Sequence, residues 1–513
     1  MSPRYRARRE AILAIMPTLA VIGAGPKGIA IAAKARALTA AGLPAPRVVL
    51  IEPGPVAGNW TGHQGYTSGL LPLGTPPEKD VGYPYADSWG PRSPAVTAAM
   101  AGYSWQRHLI AQGSYADWVD RGRLRPTHRQ WSYYLREVAA QVKAEIVAAT
   151  AVGLEADGER WRLAVDPGEP IWADGVVVTG AGPPVRVHGQ PHQHPRVLDG
   201  RSYWLAGPAL SGRVAMNACV IGSGETAAAV VISLLGKAHK RSVVDVLTSN
   251  GVLYSRGESH EENRWYSDPG DWPVLAEAHR REFLARTDRG VFSQQAEAVL
   301  NASRGFRSLA GRAVAIDAGD KQVVVTIEYG HERERVAYDL VIVAVGFRAR
   351  WFETLLGDEA HRRLGQAEAV LNASRGYRAL AGRAVAIDAG DKQVVVTIEY
   401  GHERERVAYD LVVVAVGFHA RWFETLLGGE ALGRLGHALA GTGLERRIDV
   451  DLSVAGLSPP LHLPVLAGLA QGPGFPNLSC LGLLSDRILR RYVPSGLPDR
   501  IDQERGARDR SAR

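Results

Sequence analysis

The chain has 513 residues, 46% apolar and 22% charged, which is long enough for two or three domains with buried cores. Its formal charge of +7 lies mainly in residues 1–10 and 490–513, which carry +3 each, so the near-neutral body argues against nucleic-acid binding. No apolar run is long enough to span a membrane, and two cysteines outside any CxxC pair argue against a disulfide scaffold, a metal site or a dithiol centre and fit the reducing cytoplasm.

The first 16 residues form a basic N-terminal extension. Their apolar stretch, AILAIM, is short and no small-residue cleavage site follows it, so we do not expect a secretory signal. Met16 is an alternative start of the protein, which mass spectrometry of the native N-terminus would test.

The stretch from Leu19 to Glu52 predicts a strand, a glycine turn, a helix and a second strand. Gly23, Gly25 and Gly28 have the GxGxxG spacing, in which the glycines serve the turn, the approach of a pyrophosphate and the close packing of helix on strand. Glu52 ends the second strand, where an acid accepts hydrogen bonds from a ribose diol. An ordinary glycine-rich turn is the alternative, and the terminal acid argues against it.

Residues 53–100 are rich in glycine, proline and aromatic residues, which predicts long irregular structure of the kind that often carries function. A helix follows Pro126, with Thr127 as its N-cap. Its apolar residues recur at helical spacing, and we expect them to pack in the core: Trp131, Tyr134, Leu135 and Val138. Residues 144–180 then alternate like a β-meander.

A second nucleotide unit is predicted at VAMNACVIGSGETAAAVVISLL. Gly222, Gly224 and Thr226 lie at its turn, and Ala228 replaces the third glycine, as the fingerprint allows. Two such units indicate two bound nucleotides, or one nucleotide and a relic.

Residues 295–365 return as residues 366–436, at an offset of 71 residues and with seven differences. Two copies are too few for a solenoid. We expect one copy to occupy the sheet position that YDLVIVAVGF requires and the other to loop out or to extend an edge. Residues 437–489 return to strand and loop, and residues 490–513 are predicted to be a disordered tail.

Several long, ordered motifs carry a family resemblance. They include GAGPKGIAIAAKA, LGTPPEKDVGYPY, DWVDRGRLRPTHRQWSYYL, SRGESHEENRWYSDP and LAQGPGFPNLSCLGLLSDRIL. In these motifs the chain resembles the siderophore amine N-monooxygenases, and it is most similar to the mycobactin-type L-lysine 6-monooxygenases. The resemblance runs from about Pro17 to Leu489, apart from one copy of the repeat.

The resemblance implies an α/β fold with two Rossmann-like domains and a small substrate-binding region. Residues 17–205 and 437–489 would form the FAD domain, and residues 206–340 the inserted NADPH domain with a substrate-contacting segment. It further implies that NADPH reduces FAD, that molecular oxygen then gives a flavin hydroperoxide, and that a neutral side-chain amine attacks it. Relatives often form tetramers, so a homotetramer is the expected assembly.

The resemblance also assigns roles to residues. Gly23, Gly25, Gly28 and Glu52 match the FAD fingerprint, and Trp60 lies where the family packs an aromatic near the flavin. Gly222, Gly224 and Thr226 would meet the NADPH pyrophosphate. Arg256 is a candidate for the extra phosphate of NADPH, with a plain surface arginine as the alternative.

The residues expected to contact substrate are Lys79, Asn263, Asp288 and Ser485. Lys79 would bind the substrate carboxylate, and its alternative is a solvated loop lysine. Asn263 would bind the substrate backbone near the nicotinamide, and Ser485 would lie near the substrate side chain. Asp288 stands where ornithine enzymes carry asparagine, and Gly74 stands where they carry glutamine.

Rival functions remain open from the sequence. L-Ornithine differs from L-lysine by one methylene, worth only about 1–3 kcal/mol of discrimination, whereas a diamine would leave Lys79 without a carboxylate to bind. A Baeyer–Villiger enzyme would need a histidine where Gln193 stands. A dithiol reductase is disfavoured by the cysteine count. An inactive FAD-binding protein impaired by the duplication, and an uncoupled NADPH oxidase, are separated by flavin content and by hydroxylamine formed per NADPH.

Overall fold

The computed structural model describes most of the chain outside the second copy of the repeat. The described residues are 16–63, 65–180, 182, 184–191, 193–210, 217–237, 243–249, 253–255, 259–287, 291–292, 294–302, 306–329, 332–345, 383–389, 394–400, 403–409 and 443–493. The chain divides into two compact units, Met1–Ala360 with Ile448–Arg513, and His361–Arg447. The N-terminal extension and the tail expected from the sequence lie almost wholly outside the described residues.

The described strands are β1 (Thr18–Ile22), β2 (Arg47–Ile51), β3 (Glu145–Val147), β4 (Thr150–Asp157), β5 (Arg160–Asp166), β6 (Ile171–Ala173), β7 (Gly175–Val178), β8 (Val197–Asp199), β9 (Asn217–Ile221), β10 (Val243–Thr248), β11 (Tyr254–Ser255), β12 (Val291–Phe292), β13 (Phe306–Ala310), β14 (Arg312–Ala318), β15 (Val323–Tyr329), β16 (Glu332–Tyr338), β17 (Leu340–Val343), β18 (Arg383–Ala389), β19 (Val394–Tyr400), β20 (Glu403–Tyr409) and β21 (Leu461–His462).

The described α-helices are α1 (Pro26–Ala40), α2 (Ser93–Ala101), α3 (Trp105–Ala111), α4 (Tyr115–Asp120), α5 (His128–Gln141), α6 (Ser202–Leu210), α7 (Glu225–Lys237), α8 (His260–Ser267), α9 (Glu277–Thr287), α10 (Gln294–Asn301), α11 (Gly468–Gln471) and α12 (Leu481–Arg490). Short 3-10 turns lie at Gly58–Trp60, Gly90–Arg92, Trp272–Val274, Leu444–Arg447 and Pro464–Leu466. Within the described residues, no helix has the length and apolar character needed to cross a membrane.

The first sheet has the strand order β21-β7-β1-β2-β3, and its neighbouring strands pair in parallel. All five residues of β1 are buried, as expected for a central strand covered on both faces. Pro26 stands in the first turn of α1, where a missing N–H costs nothing, and the alanine-rich sequence continues the helix. The antiparallel meander β4–β6 lies between β3 and β7 along the chain.

The second sheet repeats this construction with the order β13-β10-β9-β17-β8. A second antiparallel meander, β14–β16, lies between β13 and β17. The first glycine of each turn makes the same hydrogen bond to the last residue or the last but one of the neighbouring strand: Gly23 N donates to Ile51 O and Gly222 N donates to Leu247 O, both at 2.9 Å. The expected pair of Rossmann-like cores is therefore confirmed. β8 belongs to the second sheet although it precedes residue 206, where the sequence placed the start of that domain.

The first copy of the repeat supplies β13 to β17. Its strand β17 pairs with β9 and β8 in the second sheet, whereas β21 completes the first sheet next to β7. In the unit His361–Arg447, the second copy forms a separate three-stranded sheet, β18–β19–β20. Its pairing and bulge position are those of β14–β16 at the offset of 71 residues.

The helix predicted after Pro126 is confirmed as α5. Thr127 accepts a hydrogen bond from Gln130 N and forms a capping box with it. The predicted core aromatics Trp131 and Tyr134 are fully buried, as is Leu135, and Val138 is 2% exposed. Helical periodicity was sufficient to predict the buried residues of α5, because its apolar residues form one stripe that faces a single core.

Candidate active site

The first glycine turn leaves open space only at its middle glycine. Gly23 has a φ of +111°, and a Cβ atom there would lie 2.5 Å from Thr179 Oγ1. A Cβ atom at Gly28 would lie 2.2 Å from Gly23 O, whereas one at Gly25 meets nothing within 4 Å. Gly23 and Gly28 are thus required by the fold. The space at Gly25, before the N-terminus of α1, fits a pyrophosphate.

Glu52 lies beside that turn, directly after β2. Its Oε2 accepts from Ala24 N at 3.2 Å and its Oε1 accepts from Gly54 N at 3.1 Å. The half-buried carboxylate is therefore oriented by backbone amides next to the open space, a position that suits a ribose diol.

Trp60 ends the 3-10 turn Gly58–Trp60 and is half-buried. Its ring packs edge-on against His128, with the centroids 5.0 Å apart, and His128 Nδ1 lies 2.7 Å from Thr67 Oγ1. Burial lowers the pKa of His128 to about 4, so this imidazole is neutral near pH 7. Residues next to both in sequence, Thr61 and Arg129, belong to the lining of a cavity of about 220 Å³, together with Pro55, His63, Tyr133 and Arg136.

The second glycine turn repeats the pattern of the first. Gly222 has a φ of +130°, and a Cβ atom there would lie 2.3 Å from Ala344 O, while one at Gly224 meets nothing within 4 Å. Thr226 packs its methyl group toward Gly200. Thr248 occupies the position that Glu52 has in the first unit, since Leu247 pairs with Ile221 as Ile51 pairs with Ile22.

A neutral residue at the position of Thr248 avoids repulsion of the extra phosphate that distinguishes NADPH from NADH. The cradle therefore fits NADPH. Arg256, the sequence candidate for that phosphate, lies outside the described residues.

Lys79 lies on a loop organised around a buried carboxylate. Asp80 accepts hydrogen bonds from Trp105 N at 2.9 Å and from Gly82 N at 3.0 Å, and the hydroxyl of Tyr85 donates to it at 2.8 Å. Burial raises the pKa of Asp80 to about 6, although these hydrogen bonds oppose the rise. The half-buried Lys79 Nζ lies 5.5 Å from the centroid of the Tyr83 ring.

Tyr83 joins the Lys79 loop to α8, the helix of Asn263. Its hydroxyl donates to Ser267 Oγ at 3.0 Å, and Ser267 Oγ donates to Asn263 O at 3.3 Å. Helix α8 begins after Ser259, whose side chain accepts from Glu262 N. Lys79 and the half-buried Asn263 are thus on elements held together by one side chain. Asp288 lies outside the described residues.

Ser485 lies on α12 and is fully buried. Its hydroxyl donates to Leu481 O at 2.8 Å, within its own helix. The next residue, Asp486, forms a buried ion pair with Lys34 of α1 at 2.6 Å and accepts from Trp89 Nε1, also at 2.6 Å. The Ser485 hydroxyl therefore already donates to a backbone carbonyl of its own helix, which would compete with the predicted contact to substrate.

Sequence reasoning missed the residues that link these parts. Lys27 Nζ donates to Pro476 O at 2.6 Å, and Gly482 N donates to Tyr83 O at 2.7 Å. Gly74, the position of a family glutamine, accepts from Arg125 Nη1 at 2.6 Å through its carbonyl. The run GPGFPN at residues 472–477 could have pointed to this linking segment, because glycine and proline together are typical of a constrained loop.

Both cysteines are buried free thiols. Burial raises the pKa of Cys219 and also that of Cys480, the latter to about 12 against the opposing effect of Arg487, Lys27 and Lys79. Protonated buried thiols are poor nucleophiles, so these residues do not suit dithiol chemistry.

Similar proteins are known for nearly the whole chain. The L-lysine N6-monooxygenase MbtG of Mycobacterium sp. strain MCS is 37% identical over 477 residues, which cover 92% of this chain and 94% of that protein. MbtG of Mycobacterium tuberculosis strain H37Rv is 37% identical over 480 residues, with coverage of 92% and 94%. No protein-family model matches the chain.

Solved structures agree with these relatives. Lysine monooxygenase NbtG from Nocardia farcinica superimposes with a TM-score of 0.69 at 32% identity, over 93% of this chain and all of that chain. The ornithine N-hydroxylase KtzI of Kutzneria sp. 744, described with reduced FAD, NADP⁺ and L-ornithine, has a TM-score of 0.60 at 13% identity and covers 93% of this chain. The second likeness concerns the fold alone.

Proposed function

The chain belongs to the family of the L-lysine N6-monooxygenases, and on that premise we propose that it hydroxylates the side-chain amine of L-lysine with NADPH and molecular oxygen. FAD and NADPH are its cofactors. L-Ornithine and a diamine are the other amines to test. The comparisons do not favour a catalytically inactive FAD-binding protein.

The open space at the two glycine turns supports a place for each cofactor. We assign the open space at Gly25, before the N-terminus of α1, to the FAD pyrophosphate and Glu52 to the ribose; Gly224 would serve the NADPH pyrophosphate in the same way. When bound, FAD supplies the electron transfer and the oxygen chemistry. The protein has to bind, to orient and to keep water from the reacting atoms.

The observation that carries the substrate assignment is the bridge from Tyr83 to Ser267. It holds a cation, Lys79, beside the helix of a polar amide, Asn263. We assign Lys79 to the carboxylate of the amino acid and Asn263 to its backbone. The substrate ammonium has a pKa near 10.4, about that of a lysine side chain, so a poorly hydrated site would favour the neutral amine that reacts.

The product would be N6-hydroxy-L-lysine. A hydroxylamine nitrogen becomes a hydroxamate when it is acylated, and hydroxamate oxygens suit hard Fe³⁺, so the product fits hydroxamate siderophore assembly. A cytoplasmic location and a homotetramer are further parts of the proposal. Cell fractionation and light scattering of the purified holoenzyme would test them.

An amine panel tests the proposed function directly. The FAD-loaded enzyme is given L-lysine, L-ornithine and cadaverine, and both hydroxylamine formed and NADPH consumed are measured. We expect the highest kcat/KM with L-lysine and close to one hydroxylamine per NADPH. A higher kcat/KM with ornithine or cadaverine would make that amine the substrate in place of L-lysine. NADPH consumption without hydroxylamine from any amine would show that the protein acts as an NADPH oxidase.

A further inference from the structure

Residues 472–482, here called the junction loop, contact three elements that carry or adjoin predicted site residues. The loop connects α11 to the start of α12. It meets the first glycine-turn helix, the helix of Asn263 and the loop of Lys79. Each contact is a hydrogen bond or an approach too close to leave room for a side chain.

The contact with the Asn263 helix is made by backbone. A Cβ atom at Gly474 would lie 2.1 Å from Tyr266 O and 2.8 Å from Cys480 Sγ, and one at Gly472 would lie 2.4 Å from Pro269 Cβ. Gly472 also has a φ of +133°. The junction loop therefore lies directly against the C-terminal end of α8, three to six residues after Asn263.

The contact with the Lys79 loop is equally direct. Gly482 N donates to Tyr83 O at 2.7 Å, and a Cβ atom at Gly482 would lie 2.1 Å from Gly82 O. Tyr83 is the residue that bonds to Ser267 on α8. Movement of the junction loop would thus shift Lys79 and Asn263 together.

Lys27 fastens the junction loop to the FAD side. It stands in the first turn of α1, two residues after Gly25, is only 8% exposed, and donates from Nζ to Pro476 O at 2.6 Å. The loop is itself held in shape by Asn477, which donates to Pro473 O at 2.9 Å and accepts from Ser479 N at 2.8 Å. The loop is therefore held in shape by its own hydrogen bonds, and the Lys27 side chain links it to α1.

The guanidinium of Arg487 supports the same loop from α12. It lies 4.6 Å from the centroid of the fully buried Phe475 ring, and its Nη1 donates to Gln471 Oε1 at 3.0 Å. This cation–π contact packs Phe475, the residue before Pro476, against α12.

We propose that Lys27 is a positioning residue for N-hydroxylation: through the junction loop it sets the place of Lys79 and of Asn263 relative to the first glycine turn. This inference rests on the proposed function. Geometry of this kind decides whether the amine lies at the reacting atoms, and an error of about 1 Å can cost about 100-fold in rate. A loosened loop would let reducing equivalents escape as hydrogen peroxide.

Lys27→Met tests the proposal, because methionine keeps most of the stem and removes the ammonium. Arg36→Met, at an exposed position of the same helix, is the matched control, and Lys27→Arg keeps a cationic donor. We expect Lys27→Met to retain FAD, to raise KM for L-lysine about fivefold or more, and to halve the hydroxylamine formed per NADPH. Lys27→Arg should recover part of both effects, and Arg36→Met should match the wild type.

Unchanged KM and coupling in Lys27→Met, whatever its melting temperature, would overturn the proposal, as would loss of FAD, which would make Lys27 a cofactor ligand. If Lys27→Met does not fold, Lys27→Arg decides by the same two measurements. A wild type that makes no hydroxylamine refutes the proposed function instead. Anaerobic reduction of the flavin by NADPH then decides: a rate at least threefold slower in Lys27→Met supports the positioning role, and an equal rate excludes it.

Discussion

Tyr83 makes different contacts through its ring, its hydroxyl and its backbone carbonyl. Its ring lies under the Lys79 ammonium and its hydroxyl reaches Ser267, while its backbone carbonyl accepts from Gly482. One residue thereby fixes the loop of a cation against two helices. The sequence offered a tyrosine in a GYPY run, which does not distinguish a bridge from a core aromatic, because only folding brings Ser267 within reach.

Lys79→Ala should weaken substrate binding without affecting the cofactor. Loss of one charge-assisted hydrogen bond costs about 1.5–3 kcal/mol, so we expect KM for L-lysine to rise by about 10- to 150-fold. Flavin absorbance per protein should not change. Glu78→Ala, at the exposed neighbouring position, is the control and should keep the wild-type KM. Loss of flavin from Lys79→Ala would assign this lysine a structural role.

Asp80 should make stability depend on pH. Its folded pKa of about 6 lies above the ordinary value of 3.8, so the folded state holds the proton more tightly and the carboxyl stabilises the fold at low pH. That contribution is lost as pH rises from about 4 through 6, and it amounts to about 3 kcal/mol at most.

Asp80→Asn does not titrate, so we expect the melting temperature of the wild type to fall relative to Asp80→Asn between pH 4.5 and pH 7, at saturating FAD. Asp87→Asn changes an exposed carboxyl of the same loop and is the control. Parallel melting curves for the wild type and Asp80→Asn would contradict the buried titration.

At the scale of elements, the two glycine turns show how one motif combines two demands. Gly23 and Gly222 both have positive φ. A Cβ atom at either position would clash with the residue that follows a neighbouring parallel strand, Thr179 and Ala344 respectively. A Cβ atom at Gly25 or Gly224 would meet nothing within 4 Å. The first glycines therefore serve the fold, and the second glycines leave room for a ligand.

Gly25→Val and Gly224→Val should separate the two cradles. Neither side chain meets a protein atom at its Cβ, so both variants should fold. We expect Gly25→Val to lose FAD at least tenfold more readily, and Gly224→Val to keep its flavin while KM for NADPH rises at least tenfold. Flavin content and steady-state kinetics measure this, and each variant is the control for the other. Flavin loss from Gly224→Val would reject the assignment.

Across the whole molecule, the two copies of the duplicated segment offer the same strand for one position in the second sheet. The second sheet has a single position between β8 and β9, and β17 of the first copy fills it with four buried residues. The sequence identified two near-identical candidates for that strand and had no means to choose, since both carry the same apolar pattern. In the first copy, β13 also pairs with β10, so the first and the last described strand of this copy belong to the second sheet.

Val341→Asp and Val412→Asp are the same substitution at equivalent positions of the two copies. Val341 is fully buried and pairs with Cys219 of β9, so an aspartate there should unfold the second nucleotide unit and abolish flavin reduction by NADPH. Val412→Asp should leave that reduction unchanged. Stopped-flow reduction of the flavin measures both. Equal loss in the two variants would mean that the second copy also completes a sheet.

The two strand–turn–helix units, the helix α5 with its cap and core face, and the family could all be predicted from the sequence, because each depends on local spacing along the chain. Glu52, Gly25 and Gly224 could be predicted as site candidates for the same reason. Three contacts became visible only in the folded chain: Tyr83 joins the Lys79 loop to α8, Lys27 reaches Pro476 across 449 positions, and the first repeat copy enters the second sheet. Those contacts join segments far apart in sequence, and no local pattern encodes which distant backbone carbonyl or strand edge a side chain will meet.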